Sequence, residues 1–453
     1  MDYRTTSALD LFKAFEQQVM ADPKAFYQDY LTVKNHVENS TAIYMGKPVD
    51  FIYQPMFFSQ DDIARFQQLT DTLTGILRKV IAQYRKSPDF RRLFGFSPLA
   101  EELILLDPGY RYSFPVARFD VFYSYDGSFQ FCELNADGSS GMNEISVLHD
   151  IFWSAKALAG FLEQYHLVDF ELFNSWVDSM LEIYQEFAGS SAGKPNIAIV
   201  DFDREGTISE FQVFQNYFRA RGYQTVICDP RDFKYRSGQL SVRGMKIDLV
   251  YRRATTARII EEAEEIQDFL QAYRDGAVCV VGGFVSQIIH NKMIFAVLHS
   301  KECQALLTQE EIAFIKAHVP ETLVIDDDGS NLRRRIIDDK DSWVLKPLDL
   351  YAGQGVFIGK NHSQSEWQEI VAGIAPQTYL VQEFCQVPQL RMATVEKDGF
   401  RFEPYNYLIG LFMYKEKFSG IFTRAGRKAL IATGGESVSL PTFVLGGAAG
   451  TGR

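Results

Sequence analysis

The sequence predicts an α+β chain: a helical start, a small parallel-sheet insert in the middle, and a strand-rich end. Three observations carry this. Residues 9–33 and 60–86 place apolar side chains every three or four positions, the period of an amphipathic helix. Residues 196–252 run as a short apolar strand, a helix and two further strands, lengths that suit a parallel sheet. Residues 400–414 and 420–433 are long runs of strand-forming residues.

The elements follow in order. Ser59-Gln60-Asp61-Asp62 has the chemistry of a helix N-cap ahead of residues 60–86. Residues 88–98 form a turn-rich connection, residues 136–143 a Gly/Ser loop, and residues 144–188 a helical region. The stretch 188–195, Ala-Gly-Ser-Ser-Ala-Gly-Lys-Pro, is the clearest linker. Beyond it come a buried strand at 196–201, a helix at 208–221 stopped by Gly222, and strands at 225–228 and 248–252. A helix at 291–299 precedes short strands near Leu323, Trp343, Gly355 and Tyr379. This divides the chain at 1–95, 96–190, 191–285 and 286–445, leaving a Gly/Ala-rich tail at 446–453 that has no means of folding and is expected to be disordered.

Composition narrows the function classes. The chain has 453 residues, enough for several packed lobes, with 46% hydrophobic and 14% aromatic residues that favour thick cores and aromatic-lined clefts. A net charge of −12 argues against a nucleic-acid partner, since phosphate binding needs a basic surface. The five cysteines are widely spaced without a CxxC, which argues against a disulfide framework or a zinc site. The seven histidines form no HxxxH or HxH pair. No apolar run of signal-peptide or membrane-spanning length occurs, so a soluble cytoplasmic protein is expected.

The richest chemistry lies in residues 118–135. Asp126-Gly127 is a two-residue hairpin signal that sets Tyr125 against Ser128. Asp120 then falls opposite Glu133, and Arg118 opposite Asn135, with all four side chains on one face. Opposed carboxylates repel and destabilise a sheet, so something must offset them. A hard divalent cation with oxygen ligands does so, and Asp, Glu and Asn suit Mg²⁺. The competing reading is a solvated strand face.

Further signals are weaker singly. Lys346 ends an apolar strand and is followed by a loop with Gly353 and Gly355. Glycine lets backbone amides approach a phosphate, and the lysine supplies a point charge for it. Neither a P-loop nor a G-x-G-x-x-G is present, and a glycine hairpin with an incidental lysine reads equally well. Gln382-Glu383 close an apolar run that also reads as an edge strand. Arg424 follows a strand, where it suits a developing oxyanion or phosphoryl group, or a plain surface charge. Lys292 stands at a helix start after His290-Asn291.

Taken in order, these pieces resemble the synthetase domain of the glutathionylspermidine synthase family, a circularly permuted ATP-grasp ligase. The resemblance runs over residues 115–444 and rests on Arg118-Phe119-Asp120, Glu133-Leu134-Asn135-Ala136-Asp137, Asn291-Lys292, Leu345-Lys346-Pro347, Gln382-Glu383 and Arg424. It implies an ATP-grasp core with its metal-binding hairpin in 96–190, a Rossmann-like preATP-grasp domain inserted at 191–285, and nucleotide-binding lobes in 286–445. It implies ATP and Mg²⁺ as cofactors, with Asp120, Glu133 and Asn135 on the metal. Lys292, Lys346, Gly353, Gly355, Gln382 and Glu383 would contact nucleotide, and Arg118 and Arg424 the reacting groups. The implied reaction activates a small-molecule or peptide acid as an acylphosphate, from which an amine then displaces phosphate. The match departs in the loop after Asp137, Gly138-Ser139-Ser140-Gly141-Met142-Asn143-Glu144, where the family cysteine position falls on Gly141. Glutathione and spermidine are thereby in doubt, and Ser140 and Glu144 become candidate substrate groups. No amidase-like Cys/His pair stands in residues 1–95. Two other readings compete: a non-catalytic nucleotide-binding module of the same fold, and a glycosidase using Asp120 and Glu133. The latter leaves Lys292 and Lys346 unexplained.

Overall fold

The structure, a computed structural model, describes residues 7–189, 193–202, 207–325, 330–348, 355–376, 378–431 and 437–446. The predicted tail beyond Gly446 lies outside them. The N-terminal region begins with helices α1 (Ala8–Ala21) and α2 (Pro23–Glu38). The expected continuous stretch at 9–33 is therefore broken. Asp22 accepts from the Ala25 amide as an N-cap and Pro23 occupies the first helical position, so the chain restarts there. Helix α3 (Gln60–Lys86) carries a full capping box between Ser59 and Asp62. The region is not purely helical: Met56–Phe58 pairs in parallel with Thr442–Leu445, which also pairs with Leu167–Val168. The two ends of the chain thus share a sheet.

The hairpin strands are β1 (Val116–Tyr123) and β2 (Phe129–Asn135), followed by helix α4 (Met142–Trp153) and, later, α5 (Phe173–Ala188). The predicted turn is wrong by one residue. The Ser124 amide donates to the Ser128 carbonyl and Tyr123 pairs with Phe129, so the loop is Tyr125-Asp126-Gly127, with Gly127 at φ +92°. A second irregularity cancels this. Cys132 is an extra residue in β2, Val121 pairs with Phe131, and Asp120 pairs with Glu133.

The insert holds a four-stranded parallel sheet of β3 (Ile197–Val200), β4 (Thr225–Cys228), β5 (Leu249–Arg252) and β6 (Cys279–Val281), with helix α6 (Ile208–Ala220) crossing from β3 to β4. Its order is β6-β5-β3-β4, so the strand order reverses between β3 and β5. Side chains crossing into such a crevice do so at the carboxyl ends of the strands.

After helix α7 (Met293–His299), an antiparallel lobe is built from β7 (Thr322–Val324), β8 (Trp343–Pro347), β9 (Phe357–Ile358) and β10 (Tyr379–Glu383). Trp343, Leu345 and Val381 pack one face of this sheet with Ile336 of helix α8 (Ser330–Asp338) and Trp367 of α9 (Gln364–Gly373). The other face carries Val344, Lys346, Leu380 and Gln382 by alternation.

The strand-rich end contributes β11 (Gln389–Glu396), β12 (Gly399–Tyr414), β13 (Lys417–Gly426) and β14 (Val438–Leu440). The expected run at 420–433 stops at Gly426. Strand β12 pairs β11 along its first half and β1 along its second, so the hairpin is built into one six-stranded sheet, β14-β13-β12-β1-β2, with β11 on β12. The back of this sheet, including Phe119, Val121, Ile409, Leu411 and Ala425, buries against the main core. No single described helix is long and apolar enough to cross a membrane; only the bent pair Met142–Trp153 and Lys156–Leu162 passes by length and composition.

Candidate functional site

The front of the six-stranded sheet is charged in its middle and apolar at both ends. Val116, Phe412 and Phe422 join one apolar cluster, while Phe122, Leu408 and Cys132 pack in another with Val387 and Ile431. Arg118, Asp120 and Arg424 stand between them, 8%, 2% and 6% exposed. Arg118 Nε donates to Asp120 Oδ1 at 2.7 Å and Nη2 to Oδ2 at 3.2 Å, while Arg424 Nη2 donates to Oδ2 at 2.7 Å. Strand β12 lies between β1 and β13, and Gly410 on it faces Asp120 and Phe422. A Cβ at Gly410 would sit 2.6 Å from Arg118 Cδ, so the glycine is what lets the guanidinium lie across the sheet.

The bulge at Cys132 decides where Glu133 points. Phe131 and Leu134 both enter the main core, leaving Cys132 and Glu133 together on the front. Asn135 Nδ2 then bridges the two acids, 3.3 Å from Asp120 Oδ2 and 3.3 Å from Glu133 Oε2. Lys292 Nζ lies 3.6 Å from Glu133 Oε1, and Lys346 Nζ donates to the Cys132 carbonyl at 3.3 Å. Burial opposes ionisation of Glu133, yet Lys292 and Lys346 overcome it and hold its carboxyl down at about 2. The repulsion expected between Asp120 and Glu133 is thus offset by side chains of the protein itself: guanidiniums on one acid, ammoniums on the other.

Whether these residues also suit Mg²⁺ follows from their donors. Asp120 and Glu133 offer hard carboxylate oxygens on either side of Asn135, whose Nδ2 faces both and whose amide oxygen takes that place when the side-chain amide is turned over. Among the described residues, no group of three or more His, Cys, Asp and Glu forms a metal cage. Mg²⁺ does not need one, because it keeps waters and takes substrate phosphate oxygens beside one or two carboxylates. The set fits.

The remaining candidates divide. Gln382 lies on the Lys346 face of its lobe and donates to Thr322 Oγ1 at 2.9 Å, whereas Glu383 alternates to the opposite face and accepts from the Glu321 amide at 3.4 Å. The side chain of Glu383 is thereby turned away from Lys346, a consequence of strand alternation at adjacent positions. Gly355 holds φ +67° just before β9; Gly353 lies outside the described residues. Ser140 enters through its carbonyl, which accepts from Arg118 Nη1 at 2.5 Å.

Glu144 sits in the first turn of α4, where Glu210 of α6 also arrives. Glu210 Oε1 accepts from the amides of Gly141, Met142 and Asn143 at 3.1, 2.9 and 3.3 Å. It acts as an N-cap from another element, matching the positive end of the helix. Arg253, just past β5, pairs with Glu210 Oε2 at 3.2 Å and donates to the Ser139 carbonyl. Next to it Arg252 meets Asp137 at 2.8 Å, with both side chains buried. Burial, and next the neighbouring Glu210, push Glu144 up to about 8. Sequence reasoning missed Arg252, Arg253 and Glu210. The one available signal was an Arg-Arg pair at the carboxyl end of a parallel strand.

The sequence of residues 99–425 matches the family of circularly permuted ATP-grasp proteins, type 2. This chain belongs to that family. In fold it resembles a glutathione synthetase-like effector from Globodera pallida in its apo form, with TM-score 0.55 at 10% identity, over 93% of this chain and 98% of that one. A D-cycloserine synthetase aligns with TM-score 0.28 at 11% identity, over 55% of this chain and 91% of that one. No curated protein matches the sequence. The fold is therefore a circularly permuted ATP-grasp of α+β class, and the charged sheet front lies within the matched residues.

Proposed function

We propose that this chain is an ATP-dependent carboxylate–amine ligase acting through an acylphosphate, similar to glutathionylspermidine synthase but with a changed substrate. The observation that carries this is the convergence of Arg118 and Arg424 on Asp120, beside a Glu133 held ionised by Lys292 and Lys346. A carboxylate is a poor electrophile, and phosphorylation turns its oxygen into a leaving group. The phosphoryl group in transfer spreads negative charge over its oxygens, so preorganised cations lower the barrier. Arg118 and Arg424 would face that charge, and Gly410 leaves the room in which the Arg118 side chain lies across the sheet. Lys346 and Lys292 would neutralise the nucleotide phosphates. Mg²⁺, when bound by Asp120, Glu133 and Asn135, supplies charge neutralisation and alignment of those phosphates. The reading needs no side-chain nucleophile.

Gly141 at the family cysteine position, with Phe422 packed against it, argues for an acid other than glutathione. The five free cysteines suit a reducing compartment, and we place the enzyme in the cytoplasm. The test is ADP and phosphate release across a panel of acids and amines, with hydroxylamine as a general trap for acylphosphate. An acid-dependent hydroxamate is expected. No hydroxamate with any acid, together with no Mg-ATP binding by calorimetry, sinks the ligase reading.

A further inference from the structure

We propose that Glu144 is the receptor for a primary ammonium group carried by a substrate. This rests on the ligase reading for why such a substrate arrives there, and it deepens that reading by naming the chemistry the unmatched loop recognises.

Two carboxylates, Glu144 and Glu210, are 5% and 2% exposed at the start of α4. One guanidinium, Arg253, is 4% exposed and pairs with Glu210. Arg118 is nearby but its Nε and Nη2 are committed to Asp120 and its Nη1 to the Ser140 carbonyl. The positive end of α4 is also spent, because Glu210 takes its first amides. Among the described residues, Glu144 Oε2 is left buried without a hydrogen-bond partner. A buried acceptor with no partner carries a desolvation cost that a ligand donor removes.

The missing partner is a cation, and its type follows from the acceptors. A divalent ion wants several oxygen ligands, whereas a single free carboxylate oxygen suits a compact point charge. The charged groups facing Glu144 are Glu210 from α6, Arg118 from β1 and Arg253 from the end of β5. The segment after α2 offers the neutral Thr41, which meets Asn143, and β13 offers Phe422 against Gly141. With Glu210 as its like-charged neighbour, Glu144 holds a proton at neutral pH in the free protein. An arriving ammonium replaces that proton: the carboxyl O–H ionises, the proton leaves to solvent, and the carboxylate accepts from the ammonium N–H. Position explains the use, since the short loop that ends at Glu144 starts from Asn135 on the sheet front, so a substrate reacting there would place its neighbour group or its attacking amine toward Glu144.

The test is calorimetric titration of the full chain, loaded with Mg-ATP, with methylammonium, glycine and 1,4-diaminobutane. Each titration is run at pH 7 in two buffers of different ionisation heat, which counts protons released. The wild-type protein should release up to about one proton per ligand bound at pH 7, falling toward none well above pH 8. Glu144→Gln should abolish the release and weaken binding about tenfold or more, with Mg-ATP affinity unchanged as the check on folding. Glu210→Gln should keep ammonium binding and reduce the release, because Glu144 is then ionised beforehand. Binding by glycine alone puts the ammonium on the acid; binding by the diamine alone makes it the acceptor amine. Proton release that survives in Glu144→Gln, or no binding of any probe, overturns the proposal. Hydroxamate formation from acids that carry no ammonium group does not involve Glu144, so the ligase reading stands or falls separately on those acids.

Discussion

Two glutamates on either side of one loop behave in opposite ways. Glu133, on the sheet front, is held at about 2; Glu144, at the start of α4, is pushed up to about 8, and both begin from an ordinary value of 4.5. Burial acts on both in the same direction. What differs is the company: Lys292, Lys346 and an Asn135 hydrogen bond around Glu133, against Glu210 beside Glu144. The sheet front has balanced its charges internally, so it is ordered before any ligand arrives. The helix start has not, so it is the place where a ligand changes the charge state. A cleft that must hold nucleotide phosphates and one that must recognise a variable substrate make different demands, and these two regions meet them differently.

The comparison can be broken at either region. The largest effect is expected at the balanced one: Arg424→Ala should cut turnover on the order of a thousandfold while Mg-ATP affinity stays within a few-fold, read by steady-state kinetics and calorimetry. A binding module would instead show no turnover to lose and an unchanged affinity. Next, Glu133→Gln should weaken Mg²⁺-dependent nucleotide binding by at least about tenfold. It should also remove a stability contribution that is present above about 4.5 and is lost as pH falls through about 2, measured by denaturant unfolding across that range.

Glu144 has the reverse sign. Its folded-state value lies above the unfolded one, so the native protein binds the extra proton between about 4.5 and 8, and stability falls as pH rises through that window. Glu144→Gln should flatten this slope, gaining on the order of a few kcal/mol relative to wild type at pH 8 and little at pH 4. Equal slopes in the two proteins would remove the contrast between the regions. The smallest effect is expected for Cys132→Ser, within about 0.5 kcal/mol with Mg-ATP binding intact, because the extra residue matters there and the thiol does not.

The sequence revealed what is local or periodic. The capping box at Ser59 and Asp62 marked α3 to the residue, whereas the Asp126-Gly127 turn signal placed Asp120 against Glu133 only because the longer loop and the extra residue at Cys132 cancel. It revealed less where one residue overrides a pattern, as Pro23 does within the apolar repeat of residues 9–33. Adjacent candidates on one strand were treated as a unit, yet alternation sends Gln382 and Glu383 to opposite faces. Least legible was the Glu210–Arg253–Glu144 cluster. Its members come from three elements brought together only by docking of the parallel sheet on α4, and nothing in an amphipathic helix such as α6 announces that one glutamate will cap a different helix.

The bulge at Cys132 has a consequence for how this hairpin can vary. Phe131 stays opposite Val121 and Glu133 opposite Asp120, so the extra residue is absorbed where it stands and the ladder is in register on both sides of it, much as a splice leaves the reading frame intact. Deleting Cys132 would leave a regular ladder with the same pairs, and closure of the loop between Ser124 and Ser128 lets residues 125–127 change in number without moving them. Loop and bulge are therefore free to vary separately, whereas a one-residue slip of either strand against the other would turn the acid face over to the core.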